Sequence, residues 1–157
     1  MNKTNAMRML DSAKIKYEVI EYSIDKDKFS GTAVSDLIGM DYGSCYKTLG
    51  LIHDHDVYIC VISVNAEIDL KKCAKELNVK NLELVHVKDL LKLVGYERGS
   101  VTPVGVKKNK GIYFDLEVLN HEVIEISGGQ CGIGLKINRD QLLNYLKAEV
   151  KDITNLR

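Results

Sequence analysis

Lys47 is the residue whose type and position carry the most chemical information. It stands within Cys45-Tyr46-Lys47-Thr48-Leu49-Gly50-Leu51. Read as a strand, alternate residues share a face. The ammonium therefore sits beside Cys45, Leu49 and Leu51. Burying an unpaired charge is costly, so the position has two meanings. The stem can carry the charge out to solvent from near the strand end, which pattern alone favours. Or the face lines a cavity, and the ammonium meets an anionic or carbonyl oxygen there.

Two glycine-rich segments come next: Gly95-Tyr96-Glu97-Arg98-Gly99-Ser100-Val101-Thr102-Pro103-Val104-Gly105 and Ser127-Gly128-Gly129-Gln130-Cys131-Gly132. Glycine permits positive φ and close approach to backbone N–H groups. Such groups can cradle a phosphate, a carboxylate or a developing oxyanion; each segment is also readable as an ordinary tight turn. Neither matches a dinucleotide fingerprint or a Walker sequence, which discards NAD and ATP. His53-Asp54-His55-Asp56 offers alternating metal ligands, but a solvated turn suits these residue types better, and no second ligand cluster exists. No metal and no cofactor are expected. There is no G-x-S-x-G elbow, and no cysteine is singled out for a Cys–His pair. His86 and His121 read as local hydrogen-bonding residues. Lys107-Lys108-Asn109-Lys110 is a solvated loop, or an RNA-backbone contact if it flanks a site.

The elements that must hold these residues follow from periodicity and caps. Thr4 caps a helix through Leu10. Tyr17 to Tyr22 reads as a strand, and a short helix lies between Gly31 and Gly39. Tyr46–Ile52 and Val57–Val64 form a hairpin across the His53-to-Asp56 turn. Its second strand is apolar on both faces and so belongs in the middle of a sheet. Asp69 caps a helix to Leu77, ended by Asn78. Another helix runs from Val87 to Val94. Strands are expected over Gly111–Asp115, His121–Ser127 and up to Ile137. Asn138 and Gln141 form a capping box for a last helix, Arg139–Lys147. Strands and helices interleave without a βαβ rhythm, which predicts a mixed α+β fold with a curved sheet.

The 157 residues suit one domain, residues 1–157, with no linker and proline only at Pro103. Lysine plus arginine and aspartate plus glutamate balance at 22 each. That argues against wrapping long nucleic acid non-specifically, but not against a local basic patch. The cysteines Cys45, Cys60, Cys73 and Cys131 are irregularly spaced, as reduced thiols of a cytosolic protein would be. No apolar run is long enough to span a bilayer, and the first residues lack a signal peptide pattern. A cytoplasmic protein that does not engage membranes is expected.

Tyr46-Lys47-Thr48-Leu49, Asp69-Leu70-Lys71-Lys72, Gly95-Tyr96 through Gly99 to Pro103 and Gly105, and Ser127-Gly128-Gly129 occur in one order and spacing. This set resembles the YbaK/EbsC family of Cys-tRNA(Pro) deacylases, related to the inserted editing domain of bacterial prolyl-tRNA synthetases. The resemblance runs from Ala6 to the final helix. It implies a mixed, strongly curved β-sheet or partial barrel surrounded by helices. It implies hydrolysis of the ester between an amino acid and the terminal adenosine of tRNA, without cofactor or metal. It implies Lys47 as the essential residue, with Tyr22, Gly99, Ser127, Gly128, Gly129 and Asp140 at family positions. Ser100 replaces the second glycine common in relatives; its side chain would narrow the pocket or reorient the loop and so bears on amino-acid preference. The implied partner is the acceptor end of an aminoacyl-tRNA, gripped by Lys107, Lys108 and Lys110, with a prolyl-tRNA synthetase as a second candidate partner. Two other readings stay open: a deacylase for Ala-tRNA(Pro) using an activated water, and a non-catalytic module that binds charged tRNA or regulates expression.

Overall fold

A computed structural model describes residues 2–157. Its five helices are α1 (Asn5–Ser12), α2 (Gly31–Ile38), α3 (Leu70–Glu76), α4 (Leu90–Leu93) and α5 (Arg139–Leu146). The caps lie where the side chains demand them. Thr4, Ser30, Asp69 and Asn138 each accept a hydrogen bond from a first-turn N–H. Gly39 closes α2 at φ +71, a left-handed position natural to glycine. The helix expected over Val87–Val94 is instead a 3₁₀ turn, Val87–Asp89, followed by the single turn of α4. Leu90 N–H bonds Val87 O three residues back, tightening the first turn.

The described residues form eight strands: β1 (Tyr17–Glu21), β2 (Tyr46–His53), β3 (Asp56–Ser63), β4 (Glu83–Leu84), β5 (Ile112–Asp115), β6 (Val123–Ser127), β7 (Ile133–Asn138) and β8 (Glu149–Lys151). They form two sheets, a three-stranded one ordered β1-β7-β6 and a five-stranded one ordered β4-β2-β3-β5-β8. The first is antiparallel; in the second β3, β5 and β8 run parallel. The sheets touch where Cys45, just before β2, bridges Glu125 of β6 in parallel. The result is an open partial barrel, as the expected curved mixed sheet requires.

The β2–β3 hairpin is tighter than anticipated. His53 pairs with Asp56, so only Asp54 and His55 form the turn, and Asp54 adopts φ +54. Aspartate is among the residues that tolerate this conformation. β3 is central and buried almost throughout, as its two apolar faces predicted. Val57, Ile59 and Val61 pack with Ile124, Ile126, Leu135 and Ile137 of the smaller sheet and with Met7 and Leu10 of α1. Tyr58, Cys60 and Ile62 pack on the opposite face, with Cys73 and Ala74 of α3. Each fully buried aliphatic side chain contributes about 1.5–3 kcal/mol, so β3 is the fixed element against which β2 is placed. Among the described residues no helix is long and apolar enough to cross a membrane.

Candidate active site

β2 has a complete neighbour on one side only. It pairs with β3 along its whole length, whereas β4 reaches only Leu51 and Ile52. Val64 N–H donates to Cys45 O, and Val85 N–H donates to Gly50 O from the other side. Backbone direction alternates along a strand, so Thr48 shares the parity of Gly50 and turns its N–H and C=O away from β3. Between the Cys45 bridge and the end of β4, that edge is left without a strand. A cavity of about 500 Å³ occupies the gap.

Four of the residues anticipated from sequence meet in this cavity: Lys47, Tyr22, Gly99 and Ser127. Lys47 lies opposite Ile62, on the face that carries Leu49, Leu51, Tyr58 and Cys60. It is half-buried and makes no ion pair within 4.0 Å among the described residues. Burial lowers its ammonium from the ordinary 10.5, while the carboxylate of Glu67 pulls the other way. A desolvated cation without a partner is poised for an anionic or carbonyl oxygen. Burial pushes the Tyr22 phenol up to about 12, so it stays a donor at neutral pH. Gly99 lines the cavity at φ +90, and its N–H makes no hydrogen bond to the protein among the described residues.

Other anticipated residues build the wall and do not face the cavity. Gly128 N–H donates to Ile133 O, and Gly128 O accepts from the Thr4 hydroxyl at 2.7 Å. Gly129 N–H donates to Ser127 Oγ at 3.1 Å. The N–H groups of Gly128 and Gly129 are therefore spent within the wall and are not free to cradle an anion. Ser127 Oγ in turn donates to Ser100 O at 3.1 Å, which ties the two glycine-rich segments together. Ser100 itself sends both its N–H and its hydroxyl to Glu97 O, so its side chain turns back into its own loop.

Asp140 and Lys110 lie well away from Lys47, and Lys107 stands behind the cavity wall, beside Val94 at Gly50. Asp140 sits in the first turn of α5, largely exposed and paired with Arg139 at 2.9 Å. It follows Asn138, the partner of Val123, whereas the cavity end of the sheet is the Ser127–Gly134 pair. Four residues of strand separate these ends, about 13 Å. Lys107 N–H bonds Val94 O, and Lys110 N–H bonds Val57 O. Val57 pairs with Ile52, five residues along β2 from Lys47, roughly 16 Å away. The His53-to-Asp56 segment is a polar turn in which His53 Nδ1 meets Asn81 Oδ1 at 3.0 Å. Among the described residues no His, Cys, Asp and Glu side chains gather as a metal site. A second hollow of about 410 Å³ lies beyond Tyr22 against Cys131 and Gly132, and none of the described residues lining it is cationic.

The cavity also holds residues not anticipated from sequence, chiefly Glu125, Arg98 and Thr48. Glu125 shares a face of β6 with Ser127, and that parity was the available signal. Burial raises its carboxyl to about 7, with the neighbouring Cys45 thiol lowering it in part. The same burial raises Cys45 to about 11, so that thiol is neutral and unsuited to nucleophilic attack.

The aminoacyl-tRNA editing domain family model matches residues 27–145. The chain is 33% identical over 153 residues to the Enterococcus faecalis (strain ATCC 700802 / V583) protein EbsC, provisionally named a Cys-tRNA(Pro)/Cys-tRNA(Cys) deacylase; the match covers 97% of this chain and 93% of EbsC. Two crystal structures share the fold. One, described as a proposed trans-editing enzyme for prolyl-tRNA synthetase, matches with TM-score 0.81 and 20% identity over 99% of each chain. The other, a hypothetical protein, matches with TM-score 0.87 and 19% identity over 97% of this chain and 100% of its own.

The raised Glu125 carboxyl makes a stability prediction. Its folded-state value, about 7, lies above the ordinary 4.5. The contribution of the neutral form is therefore complete below 4.5 and is lost as pH rises through about 7. Glu125→Gln stays neutral throughout. Thermal unfolding of both proteins should show the variant gaining on the wild type as pH rises from 4.5 to about 8. A difference independent of pH would show that this carboxyl does not ionise in a desolvated site.

Proposed function

The chain belongs to the aminoacyl-tRNA editing domain family and is an aminoacyl-tRNA deacylase, and from that premise we propose that it clears cysteine from tRNA(Pro) at the open edge of β2. The observation that carries this reading is Lys47: an unpaired, half-buried ammonium in a cavity that also holds Tyr22, Gly99 and Ser127. We take residues 1–157 as one editing domain, since Thr4 anchors the Ser127 turn and Arg157 pairs with buried Asp115.

An aminoacyl ester is already labile, so positioning and a modest electrostatic contribution are sufficient catalysis. Lys47 holds the ester carbonyl or the phosphate of the terminal adenosine. The substrate thiol attacks the carbonyl carbon: a carbon–sulfur bond forms, the bond to the ribose oxygen breaks, and the thiol proton ends on that oxygen. Water then opens the resulting thiolactone to cysteine. Ser127, braced by Ser100 O, and Gly99 fix the rim against which the terminal nucleotide lies. The apolar part of the wall, including Val34, Leu49 and Val64, admits a small side chain and excludes bulk by size. Ser100 does not enter the cavity, so its replacement of glycine leaves this preference to the other wall residues. The protein works in the cytoplasm, on the acceptor end of the tRNA, alone or beside a prolyl-tRNA synthetase. Asp140 is assigned a part in shaping α5 and not in touching substrate.

Single-turnover deacylation of Cys-tRNA(Pro) and Ala-tRNA(Pro), measured beside thermal unfolding, tests this. Lys47→Ala should lose about a hundredfold or more of rate, the usual scale for a key electrostatic group. Lys47→Arg should also be poor, because a broad guanidinium does not replace a compact ammonium. Both should stay folded, since removing an unpaired charge from an apolar face need not destabilise it. Ala-tRNA(Pro) should be spared for want of a thiol. A folded Lys47→Ala variant with near-normal rate would overturn the mechanism.

Lys107 lies beside Val94, behind Gly50 of the cavity wall, and Lys110 lies at the turn end of the hairpin, a spread that suits the acceptor stem running away from the cavity. Replacing all three by alanine should weaken tRNA binding and flatten its salt dependence while leaving hydrolysis of a short aminoacyl-ester substrate intact. Unchanged affinity and salt slope would remove this loop from the interface.

A further inference from the structure

The charges that line the cavity are complementary to three groups of an aminoacyl ester. Such a substrate carries an α-ammonium, an ester carbonyl and the phosphate that joins the terminal adenosine to the rest of the RNA. The described wall has two cations, Lys47 and Arg98, and one carboxyl, Glu125. The cations suit the carbonyl and the phosphate. The carboxyl has no assigned task.

Glu125 is placed for one. It projects from β6 on the same face as Ser127, at the junction where β6 meets the start of β2. Its room is provided by Gly134 on β7: any side chain there would strike Glu125 Oε2. It is 5% exposed and, among the described residues, makes no ion pair within 4.0 Å. The titratable groups around it supply no cation: Cys45 comes from the start of β2 and Tyr22 from the end of β1. Lys136, its cross-strand partner, reaches for Glu18 at 3.8 Å. A buried carboxyl without a countercharge is costly to ionise, and burial holds it near neutrality, at about 7. An entering ammonium supplies the charge that the site lacks.

We propose that Glu125 is the residue that recognises the free α-ammonium of the aminoacyl group, so that the enzyme selects against N-blocked aminoacyl-tRNA. This rests on the deacylase reading of the cavity and adds a specificity element to it. The ammonium donates to the Glu125 carboxylate while Lys47 meets the carbonyl. The two opposite charges then fix the ester between them, and an N-acetyl or N-formyl group would bring no charge and would fill the space above Gly134.

Binding tests the assignment without requiring turnover. The probes are 3′-cysteinylamino-3′-deoxyadenosine, whose amide resists hydrolysis, and its N-acetyl derivative, titrated calorimetrically into the wild type, Glu125→Gln and Glu125→Asp. N-acetylation should weaken binding to the wild type about tenfold or more, the scale of one charge-assisted hydrogen bond. Glu125→Gln should bind both probes equally and weakly, and Glu125→Asp should restore part of the preference. A wild type indifferent to acetylation, or a Glu125→Gln variant that keeps the full preference, would overturn the proposal. Deacylation of Cys-tRNA(Pro) is measured on the same samples. Normal hydrolysis without an amine preference sinks this assignment alone; an amine preference without hydrolysis sinks the catalytic reading alone; binding of neither probe overturns both.

Discussion

The arrangement of the molecule turns on the strand edge that β2 leaves open. Backbone N–H and C=O groups away from a partner strand require water or a ligand. β2 has β3 on one side for its full length, but on the other it is covered only at its ends, by β4 at Leu51 and Ile52 and by the Cys45–Glu125 bridge. The uncovered stretch around Thr48 therefore faces solvent inside a concave wall. Lys47, Glu125, Tyr22 and Ser127 gather there. The second sheet is held across the gap by the core between them, where Ile59 and Val61 meet Ile124 and Ile126. The gap thus has a fixed width, set by close-packed side chains on elements that do not move easily.

The glycine-rich segments serve this geometry mainly as braces. The N–H groups of Ser100, Gly128 and Gly129 are bonded within their own turns or to the adjoining strand, and Ser127 locks the Ser127–Gly129 turn to the Gly99 loop through Ser100 O. What faces the cavity is a small set of side chains with opposed electrostatics. Lys47 is a cation held where burial disfavours the charge, and Glu125 is a carboxyl held where burial does the same. Among the described residues neither has a counter-ion, and a ligand that carries both signs would relieve both. The cavity is pre-organised in the sense that matters for catalysis: the desolvation of its charged groups is already met by folding.

Much of this was legible in the residues themselves. The caps at Thr4, Asp69 and Asn138 and the doubly apolar β3 follow from local chemistry, and the structure has them. Lys47 stood out because a lysine interrupts an apolar parity on a strand. Glu125 did not stand out, for the opposite reason. A carboxyl at alternate positions of Val123-Ile124-Glu125-Ile126 reads as the solvent face of a half-buried strand, and only the arrival of β2 from the other sheet buries it. The strands β4 and β8 are two and three residues long. They exist because of their neighbours and have no periodicity to read. The Lys107-to-Lys110 run follows the Gly99 loop closely in sequence, yet the chain passes Val94 and then Val57 and carries Lys110 to the far end of the hairpin. Asp140 is displaced from the site by the same logic, at the opposite end of β7 from Gly134.

Fold and reaction class are common to the family; the choice of substrate we propose is set by the wall between the two sheets. The central claim is that the open edge of β2 is where the aminoacyl ester binds. Amide chemical-shift mapping during titration with 3′-cysteinylamino-3′-deoxyadenosine examines that edge directly, residue by residue. The account predicts that the largest shifts fall on Lys47, Thr48, Gly50, Gly99 and Ser127, with the Lys107-to-Lys110 loop and α5 unmoved. Shifts concentrated on that loop or on α5, with the β2 edge silent, would contradict it.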